Sequence, residues 1–184
     1  MSAGQTIVVV GDSLSSGYGL TAEQSWVAQL STRLQSEGYG YEVVNASIAG
    51  DTSAGGLARL PRLLEQHMPA IVVIELGGND GLRGQPVDKL RENLATMIEM
   101  SREHDAKVLL AGMQIPPNYG QAYTRALSAV YPELAERFDV ALVPFLLEGV
   151  ALHPGRMQQD NIHPNAAGQQ VILENVWQIL TPLL

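Results

Sequence analysis

Three residues have the types and the spacing that nucleophilic catalysis requires. Ser13 follows a run of valines in "VVVGDSLSSGYG" (8–19), and "DNIH" (160–163) places Asp160 three residues before His163. In such a turn the carboxylate can reach one imidazole nitrogen, which leaves the other nitrogen free to act as a base toward a serine hydroxyl. The pattern indicates Ser13 as a nucleophile, His163 as its base and Asp160 as the acid that orients the base.

Each of these residues also has a purely structural interpretation. Serine is common at helix N-caps and in turns, and an aspartate with a histidine three residues later can simply cap a helix. The serine loop does not fit other known sites, however. Position 15, where a G-x-S-x-G turn needs glycine, is Ser15, and no Lys-Ser or Lys-Thr pair of a phosphate loop follows. Gly17 and Gly19 do not fit a dinucleotide fingerprint either.

His163 is the best candidate for the base among the four histidines. His67 ends a predicted helix, and His104 lies in "EHDAK", at the opposite edge of the predicted sheet from the serine. His153 lies on the same side as His163, but the residue three positions before it is Val150, which has no carboxylate to orient an imidazole.

Two further loops offer hydrogen-bond donors for a negatively charged oxygen. Gly50 in "IAGDT" has a backbone N–H that a ligand can approach closely, and Asn79 in "GGNDG" has a side-chain NH₂. Glycine and asparagine also occur in turns for local reasons alone. We predict an oxyanion hole made by the N–H groups of Ser13 and Gly50 together with the Asn79 side chain.

The composition excludes several classes of function. The chain of 184 residues has no cysteine, which excludes disulfides, thiolate metal sites and a cysteine nucleophile. Its 11 Lys and Arg against 19 Asp and Glu give a net charge of −8 without any basic run, so we expect no nucleic-acid partner. No apolar stretch approaches the ~18 residues of a membrane span. The N-terminal "MSAGQTIVVV" lacks the pattern of a signal peptide.

Short apolar runs alternate with longer amphipathic ones along the whole chain. The predicted strands are 6–10, 41–46, 71–76, 107–112 and 140–144. The predicted helices are 23–37, 54–67, 87–105, 121–137 and 165–180. This alternation predicts one domain over 1–184 of the α/β class, a three-layer α/β/α architecture around a flavodoxin-like, doubly wound sheet of five parallel strands.

The loops with unusual chemistry all follow strands. In a parallel sheet such loops emerge at the carboxyl edge, where ligands bind. The loops after the first, second, third and fifth strands carry "GDSL", "AGDT", "GGND" and "DNIH", whereas the helix-to-strand loops are ordinary. We therefore expect the five candidate residues to meet at one edge of the sheet.

These four blocks, in this order, resemble those of the SGNH (GDSL) hydrolase family. "VVNASIAGDTSAGGLARLP" (43–61), "VVIELGGNDGLRG" (72–84) and "PPNYG" (116–120) extend the likeness toward its TesA-type bacterial subgroup of thioesterases, lysophospholipases and arylesterases. The resemblance implies the SGNH hydrolase fold, a Ser13–His163–Asp160 triad, and an oxyanion hole from Ser13, Gly50 and Asn79. It also implies hydrolysis of small-molecule esters and thioesters with no metal or cofactor, and a periplasmic or secreted location, with a cytoplasmic one left open.

Two other functions remain compatible with the sequence. Related hydrolases remove acetyl groups from carbohydrates, although only 5% of the residues are aromatic and no stacking platform is evident. A non-catalytic binding module is the other alternative, but such a module need not retain all five candidate residues.

Three residues are candidates for contact with the substrate. Phe145 and Leu146 belong to the apolar segment "PFLLEGVALHPGRMQ" (144–158), which is either the wall of an acyl site or a plug in the core. Tyr119 lies in "MQIPPNYGQAY" (113–123), a proline-stiffened segment after the fourth predicted strand. The glycine-rich segment 81–88 is either a mobile flap or a plain loop.

Overall fold

A sheet of five parallel strands forms the centre of the molecule. The computed structural model describes residues 5–184. The strands are β1 (Gln5–Gly11), β2 (Tyr41–Asn45), β3 (Ile71–Glu75), β4 (Lys107–Ala111) and β5 (Ala141–Val143). They lie in the order β2-β1-β3-β4-β5, each parallel to its neighbours. This is the flavodoxin-like order, so the predicted fold is confirmed.

Helices cover both faces of the sheet. They are α1 (Ser13–Ser16), α2 (Trp26–Ser36), α3 (Ser53–His67), α4 (Gly78–Leu82), α5 (Val87–Glu103), α6 (Gln121–Phe138) and α7 (Ala166–Leu180). α3, α5 and α6 pack side by side as one layer, and α2 packs with α7 as the other. Across residues 5–184 there is no helix with both the length and the apolar character needed to cross a membrane.

Burial explains the composition of the strands. In β1 and β3 the residues 7–10 and 71–74 are fully buried, as expected for central strands that helices cover on both faces. The edge strand β2 is only partly buried, which accounts for its mixed sequence "YEVVN". The apolar runs in the middle of the sheet are therefore core, and the chemistry lies at the strand ends.

The ends of β1 and β3 lie side by side and bring two chemically active loops together. Gly11 is the register partner of Glu75, the last residue of β3. The chain passes from β1 into α1 through Asp12 alone, and from β3 into α4 through Leu76 and Gly77. Connections this short leave the first residues of both helices little freedom, so Ser13 and Asn79 are held by the sheet itself.

Candidate active site

Ser13 is the first residue of the short helix α1. Asp12 caps this helix, because its Oδ1 accepts the N–H of Leu14 at 2.9 Å. The turn is tight because Gly11 has no side chain: a Cβ there would lie 2.6 Å from Glu75 Oε2 and 2.9 Å from Ser15 Oγ. The abrupt change from valines to "GDS" thus serves to aim one hydroxyl outward from the end of β1.

The loop before α7 presents His163. Its two ends are tied together, because the Gln158 N–H donates to the His163 carbonyl at 2.7 Å and Met157 forms an isolated antiparallel bridge with Pro164. Asp160 Oδ1 accepts the N–H groups of both Ile162 and His163 at 3.0 Å. The aspartate therefore shapes the turn as well as facing the imidazole.

A hydrogen-bonded chain joins the three residues of the predicted triad. His163 Nδ1 lies 2.6 Å from Asp160 Oδ2, and His163 Nε2 lies 2.9 Å from Ser13 Oγ. A carboxylate can only accept, so Nδ1 carries the proton and Nε2 is left as the acceptor for the serine hydroxyl. The bonds from His163 and from the Ile162 N–H lower the pKa of Asp160 to about 2. Asp160 is therefore ionised at neutral pH.

Two residues outside the predicted site, Tyr18 and Gln158, support this arrangement. The rings of Tyr18 and His163 lie 4.5 Å apart at an angle of 38°. Gln158 Nε2 donates to the carbonyls of Tyr18 at 2.8 Å and of Pro164 at 3.0 Å, which links the serine loop to the histidine loop. An aromatic residue between glycines in "SSGYG" is the signal that points to such a role.

Two backbone donors of the predicted oxyanion hole are free. Across residues 5–184, the N–H groups of Ser13 and Gly50 have no acceptor in the protein. Gly50 has φ +80°, a left-handed conformation that suits glycine, within a turn closed by the Asp51 N–H on the Ile48 carbonyl at 3.1 Å. Arg83 Nη2 donates to the Gly50 carbonyl at 2.8 Å, which fixes the orientation of that residue.

The third predicted donor, Asn79, already has acceptors in this structure. Its Nδ2 lies 3.1 Å from Asp12 Oδ2 and 2.9 Å from the Asp51 carbonyl, so both amide protons are in use. The bond to Asp51 ties Asn79 to the loop that carries Gly50. Donation to a substrate oxygen would therefore replace one of these bonds, and the Asp51 carbonyl, which belongs to the Gly50 loop, is the one we expect to be replaced.

The predicted substrate residues have different positions. Leu146 is completely buried: its exposed fraction is 0%, and its N–H donates to the Gly112 carbonyl at 2.9 Å. Its prediction as a contact residue is wrong. Phe145 is half-buried against the core, and Asn175 Nδ2 holds the Leu146 carbonyl at 3.0 Å, so this segment plugs the core beside α7. Tyr119 is exposed, in a short 3₁₀ turn.

The large exposed apolar side chains lie mainly at the carboxyl edge of the sheet. Large exposed hydrophobic residues occur on the connections that follow all five strands at the carboxyl edge, one of them at the end of α4, and one more, Met68, follows α3 at the opposite edge. Those of the carboxyl edge are Tyr18, Ile48, Leu82, Tyr119, Leu152 and Ile162. We call these six residues the apolar rim. A shallow depression beside it is lined by Tyr18, Gly19 and residues 158–160.

The described part of the chain contains no group of three or more His, Asp or Glu side chains able to hold a metal ion. The site that the loops assemble is a serine, a histidine and an aspartate with backbone and amide donors nearby. Such a set can perform nucleophilic acyl transfer.

Comparison with known proteins agrees with this geometry. Residues 9–171 match the model of the GDSL-like Lipase/Acylhydrolase family. The chain belongs to this family. It is 59% identical to Esterase TesA of Pseudomonas aeruginosa over 183 residues, which is 100% of this chain and 91% of the relative. It is 46% identical to Thioesterase 1/protease 1/lysophospholipase L1 of Escherichia coli strain K12, covering 100% of this chain and 86% of the relative.

A solved relative shares the same fold. The psychrotrophic esterase EstA of a Pseudoalteromonas species, in a structure inhibited by monoethylphosphonate, superposes with a TM-score of 0.92 at 38% identity over 97% of each chain. The resemblance seen in the four sequence blocks is thus confirmed, and so is the SGNH hydrolase fold.

Proposed function

We propose that the protein is a serine hydrolase that cleaves carboxylic esters and acyl thioesters through a covalent acyl-enzyme. The observation that carries this proposal is the hydrogen-bonded chain Ser13–His163–Asp160, with its distances of 2.9 Å and 2.6 Å. Membership of the acylhydrolase family supports the same conclusion. Relatives named esterase and thioesterase 1 support both classes of bond.

The reaction has two half-reactions. His163 Nε2 removes the Ser13 proton as Ser13 Oγ attacks the carbonyl carbon, and the oxyanion accepts hydrogen bonds from the N–H groups of Ser13 and Gly50 and from the Asn79 side chain. His163 then gives the proton to the leaving alcohol or thiol as the tetrahedral intermediate collapses to the acyl-enzyme. Water, deprotonated by His163, attacks the acyl-enzyme in the same way and releases the acid. The ionised Asp160 stabilises the imidazolium that forms in each half.

The apolar rim supports acyl or aryl groups as the substrate part that docks beside Ser13. Covering exposed apolar side chains with a ligand lowers the free energy, and here such side chains are concentrated at the carboxyl edge of the sheet, where the site lies. A carbohydrate ester is less well supported, because Trp26 is fully buried and Trp177 is 8% exposed, so neither offers a face for a sugar to stack on. Of the three residues predicted to contact the substrate, Tyr119 is exposed and therefore accessible to an acyl or aryl group.

The direct test is hydrolysis of nitrophenyl esters and acyl-CoA thioesters of increasing chain length by wild type and Ser13→Ala. We expect activity on both bond types in wild type and its loss in the variant. A phosphonate should block wild type at one equivalent and be recovered by mass spectrometry on the peptide with Ser13. An adduct on Ser15 or Ser16, or release of acetate from acetylated sugars alone, would contradict the proposal. Family likeness also supports export to the periplasm, which fractionation of the native host would test.

A further inference from the structure

A buried acid lies beneath the proposed nucleophile and takes no part in the reaction described above. Glu75 is 0% exposed, at the end of β3 in an otherwise apolar strand. Its Oε2 accepts the Ser15 hydroxyl at 2.6 Å and the Asp12 N–H at 3.2 Å. Its Oε1 is buried and has no hydrogen-bond partner among the described residues. A buried acceptor without a partner costs free energy, so this oxygen needs an explanation.

A second buried carboxyl group lies next to Glu75. Asp12 is 2% exposed, and its Oδ1 and Oδ2 accept the Leu14 N–H and the Asn79 amide. In the part of the chain that the structure describes, neither Glu75 nor Asp12 pairs with a cationic side chain. Two uncompensated negative charges in one buried site would repel each other, so one of the two groups keeps its proton.

Glu75 is the group better suited to keep the proton. Burial raises the pKa of Glu75 well above its ordinary value and the charge of Asp12 raises it further, while the bonds from the Ser15 hydroxyl and the Asp12 N–H lower it only in part. Burial also raises the pKa of Asp12, to about 6, but there the Leu14 N–H and the hydrogen bond with Glu75 act in the opposite direction. Both carboxylate oxygens of Asp12 accept a donor, whereas only one oxygen of Glu75 does, so the charged form is better supported on Asp12 than on Glu75.

This inference rests on the proposed function. We propose that Glu75 is a positioning residue for the hydrolysis: as a neutral acid it gives a hydrogen bond to the neighbouring Asp12 carboxylate and so aligns Ser13 and Asn79 together. Its Oε2 holds the backbone before Ser13, through the Asp12 N–H, and the helix after it, through the Ser15 hydroxyl. The Asp12 carboxylate in turn holds Asn79.

Further hydrogen bonds connect the residues around Glu75 to α7, the helix that follows the His163 loop. Ser15 Oγ accepts the Trp26 Nε1–H at 3.2 Å, and the Trp26 N–H donates to Gln169 Oε1 at 2.8 Å. Gln169 is a buried residue of α7, the helix that follows the His163 loop, and its Nε2 lies 3.4 Å from the Leu14 carbonyl. Nucleophile, oxyanion donor and the helix after the base are thus attached to one buried network with Glu75 at its centre.

Two variants test the role of Glu75. Glu75→Gln mimics the neutral acid and distinguishes it from an ionised carboxylate, and Glu75→Leu shows whether the hydrogen bonds of the side chain matter or only its volume. Glutamine can donate where the acid donates and accept where Oε2 accepts, so its kcat should stay close to wild type. Leucine fills similar volume without either bond, so its kcat should fall about 10- to 100-fold with little change in KM, since small misplacements of reacting groups have effects of this size. Phosphonylation of Ser13 should slow by the same factor. Glu65→Gln, at an exposed site on α3, is the matched control.

Protonation is tested without reference to catalysis. The infrared difference spectrum of wild type minus Glu75→Gln at pH 7 should show the carbonyl band of a protonated carboxylic acid. A group with a raised folded pKa makes stability fall as pH rises, because the folded state holds a proton that the unfolded state releases. The melting temperature of Glu75→Gln, measured relative to wild type at the same pH, should therefore rise as the pH is raised from 5 to 8. The corresponding difference for Glu65→Gln should stay constant.

The possible results are distinct. Loss of activity in Glu75→Gln as large as in Glu75→Leu, absence of the infrared band, or a folded Glu75→Leu with normal kcat would each overturn the proposal. If Glu75→Leu does not fold, the activity of Glu75→Gln and the infrared difference spectrum still show whether Glu75 acts as a neutral acid. An inactive wild type would instead refute the proposed function, and the infrared and melting experiments would still test the neutral acid.

Discussion

The tautomer and the orientation of the His163 imidazole are fixed by its hydrogen bond with Asp160. Asp160 accepts from Nδ1, so Nε2 faces Ser13 as an acceptor. His153, on the same edge of the sheet, has no such partner: its Nδ1 accepts the Gly155 N–H at 3.3 Å and its side chain is exposed. Only one of the two histidines therefore has the tautomer, orientation and neighbour that a general base needs.

Replacement of the two histidines should have very different effects. His163→Ala should lower kcat by about 10⁶-fold, as loss of the serine itself does, because these residues act as a unit. His153→Ala should lower it only slightly. Steady-state hydrolysis of a nitrophenyl ester measures both, with circular dichroism to verify folding. A larger loss at His153 than at His163 would contradict the assignment.

Asn79 should affect catalysis and stability together. An oxyanion donor acts on charge that develops in the transition state, so Asn79→Ala should cut kcat by about 10²–10³-fold and leave KM nearly unchanged. Its bonds to Asp12 and Asp51 are also lost, so the melting temperature should fall by a few degrees, roughly 2–4 °C per kcal/mol in a protein of this size. Asn79→Asp should be no more active, since a carboxylate repels the oxyanion.

Asn93 offers a matched control for the Asn79 experiment. Its Nδ2 donates to Ser53 Oγ at 2.9 Å, and in the described part of the chain it makes no hydrogen bond to Ser13, Gly50 or His163. Asn93→Ala should lower the melting temperature and leave kcat near wild type. If Asn79→Ala behaves like Asn93→Ala, Asn79 is only a structural residue and the oxyanion hole consists of backbone donors alone.

At the scale of elements, periodicity predicted the five strands and five long helices but not the two short helices. α1 and α4 span only four and five residues, too few for an apolar pattern to appear. Leu146 shows a second limit of prediction from the sequence. An apolar segment has the same sequence whether it lines a pocket or plugs the core, and only the position of α7 beside it decides. Glu75 could have been noticed, because a carboxylate inside "IVVIEL" conflicts with burial, but its partners come from β1 and α1 and are not evident in sequence.

The loop after β2 is held by one arginine of α3. Arg59 pairs with Asp51, with Nε 2.9 Å from Oδ2, and donates to the carbonyls of Ala46 and Gly11. These contacts fix both ends of the loop that presents Gly50. The guanidinium is suited to this task because its donors form a rigid fork that lysine lacks.

Arg59→Ala should therefore loosen the Gly50 loop and lower kcat by about 10-fold, because a displaced oxyanion donor stabilises the transition state less. The kcat of Arg59→Lys should lie between those of wild type and Arg59→Ala. KM should change little. Arg62→Ala, an exposed arginine of the same helix, is the control and should remain close to wild type. Reduced thermal stability with unchanged kcat in Arg59→Ala would show that the arginine supports the fold and not the oxyanion loop.

For the whole molecule, carboxyl groups of the site affect stability in opposite directions as pH changes. Asp160 has a lowered pKa of about 2, so its contribution to the free energy of unfolding is present above its ordinary pKa of 3.8 and is lost as pH falls toward 2. Asp12, with its pKa raised to about 6, makes stability fall as pH rises from about 4 to 6. The pH profile of the wild type alone is therefore a sum that hides both effects.

The Asp160 contribution can be isolated by comparing wild type with Asp160→Asn. Asparagine Oδ1 can still accept the N–H groups of Ile162 and His163, so the turn should persist while the charge disappears. The excess free energy of unfolding of wild type over the variant should be constant above pH 5, decline between pH 4 and pH 2, and vanish near the lower limit. The Asp160 side chain is 38% exposed, so solvent screens its charge and we expect the excess to be modest. Urea unfolding at each pH measures it, with Asp105→Asn as the exposed control. An excess that grows on acidification would mean that Asp160 is not stabilised as a carboxylate, and its place as the orienting acid of His163 would have to be abandoned.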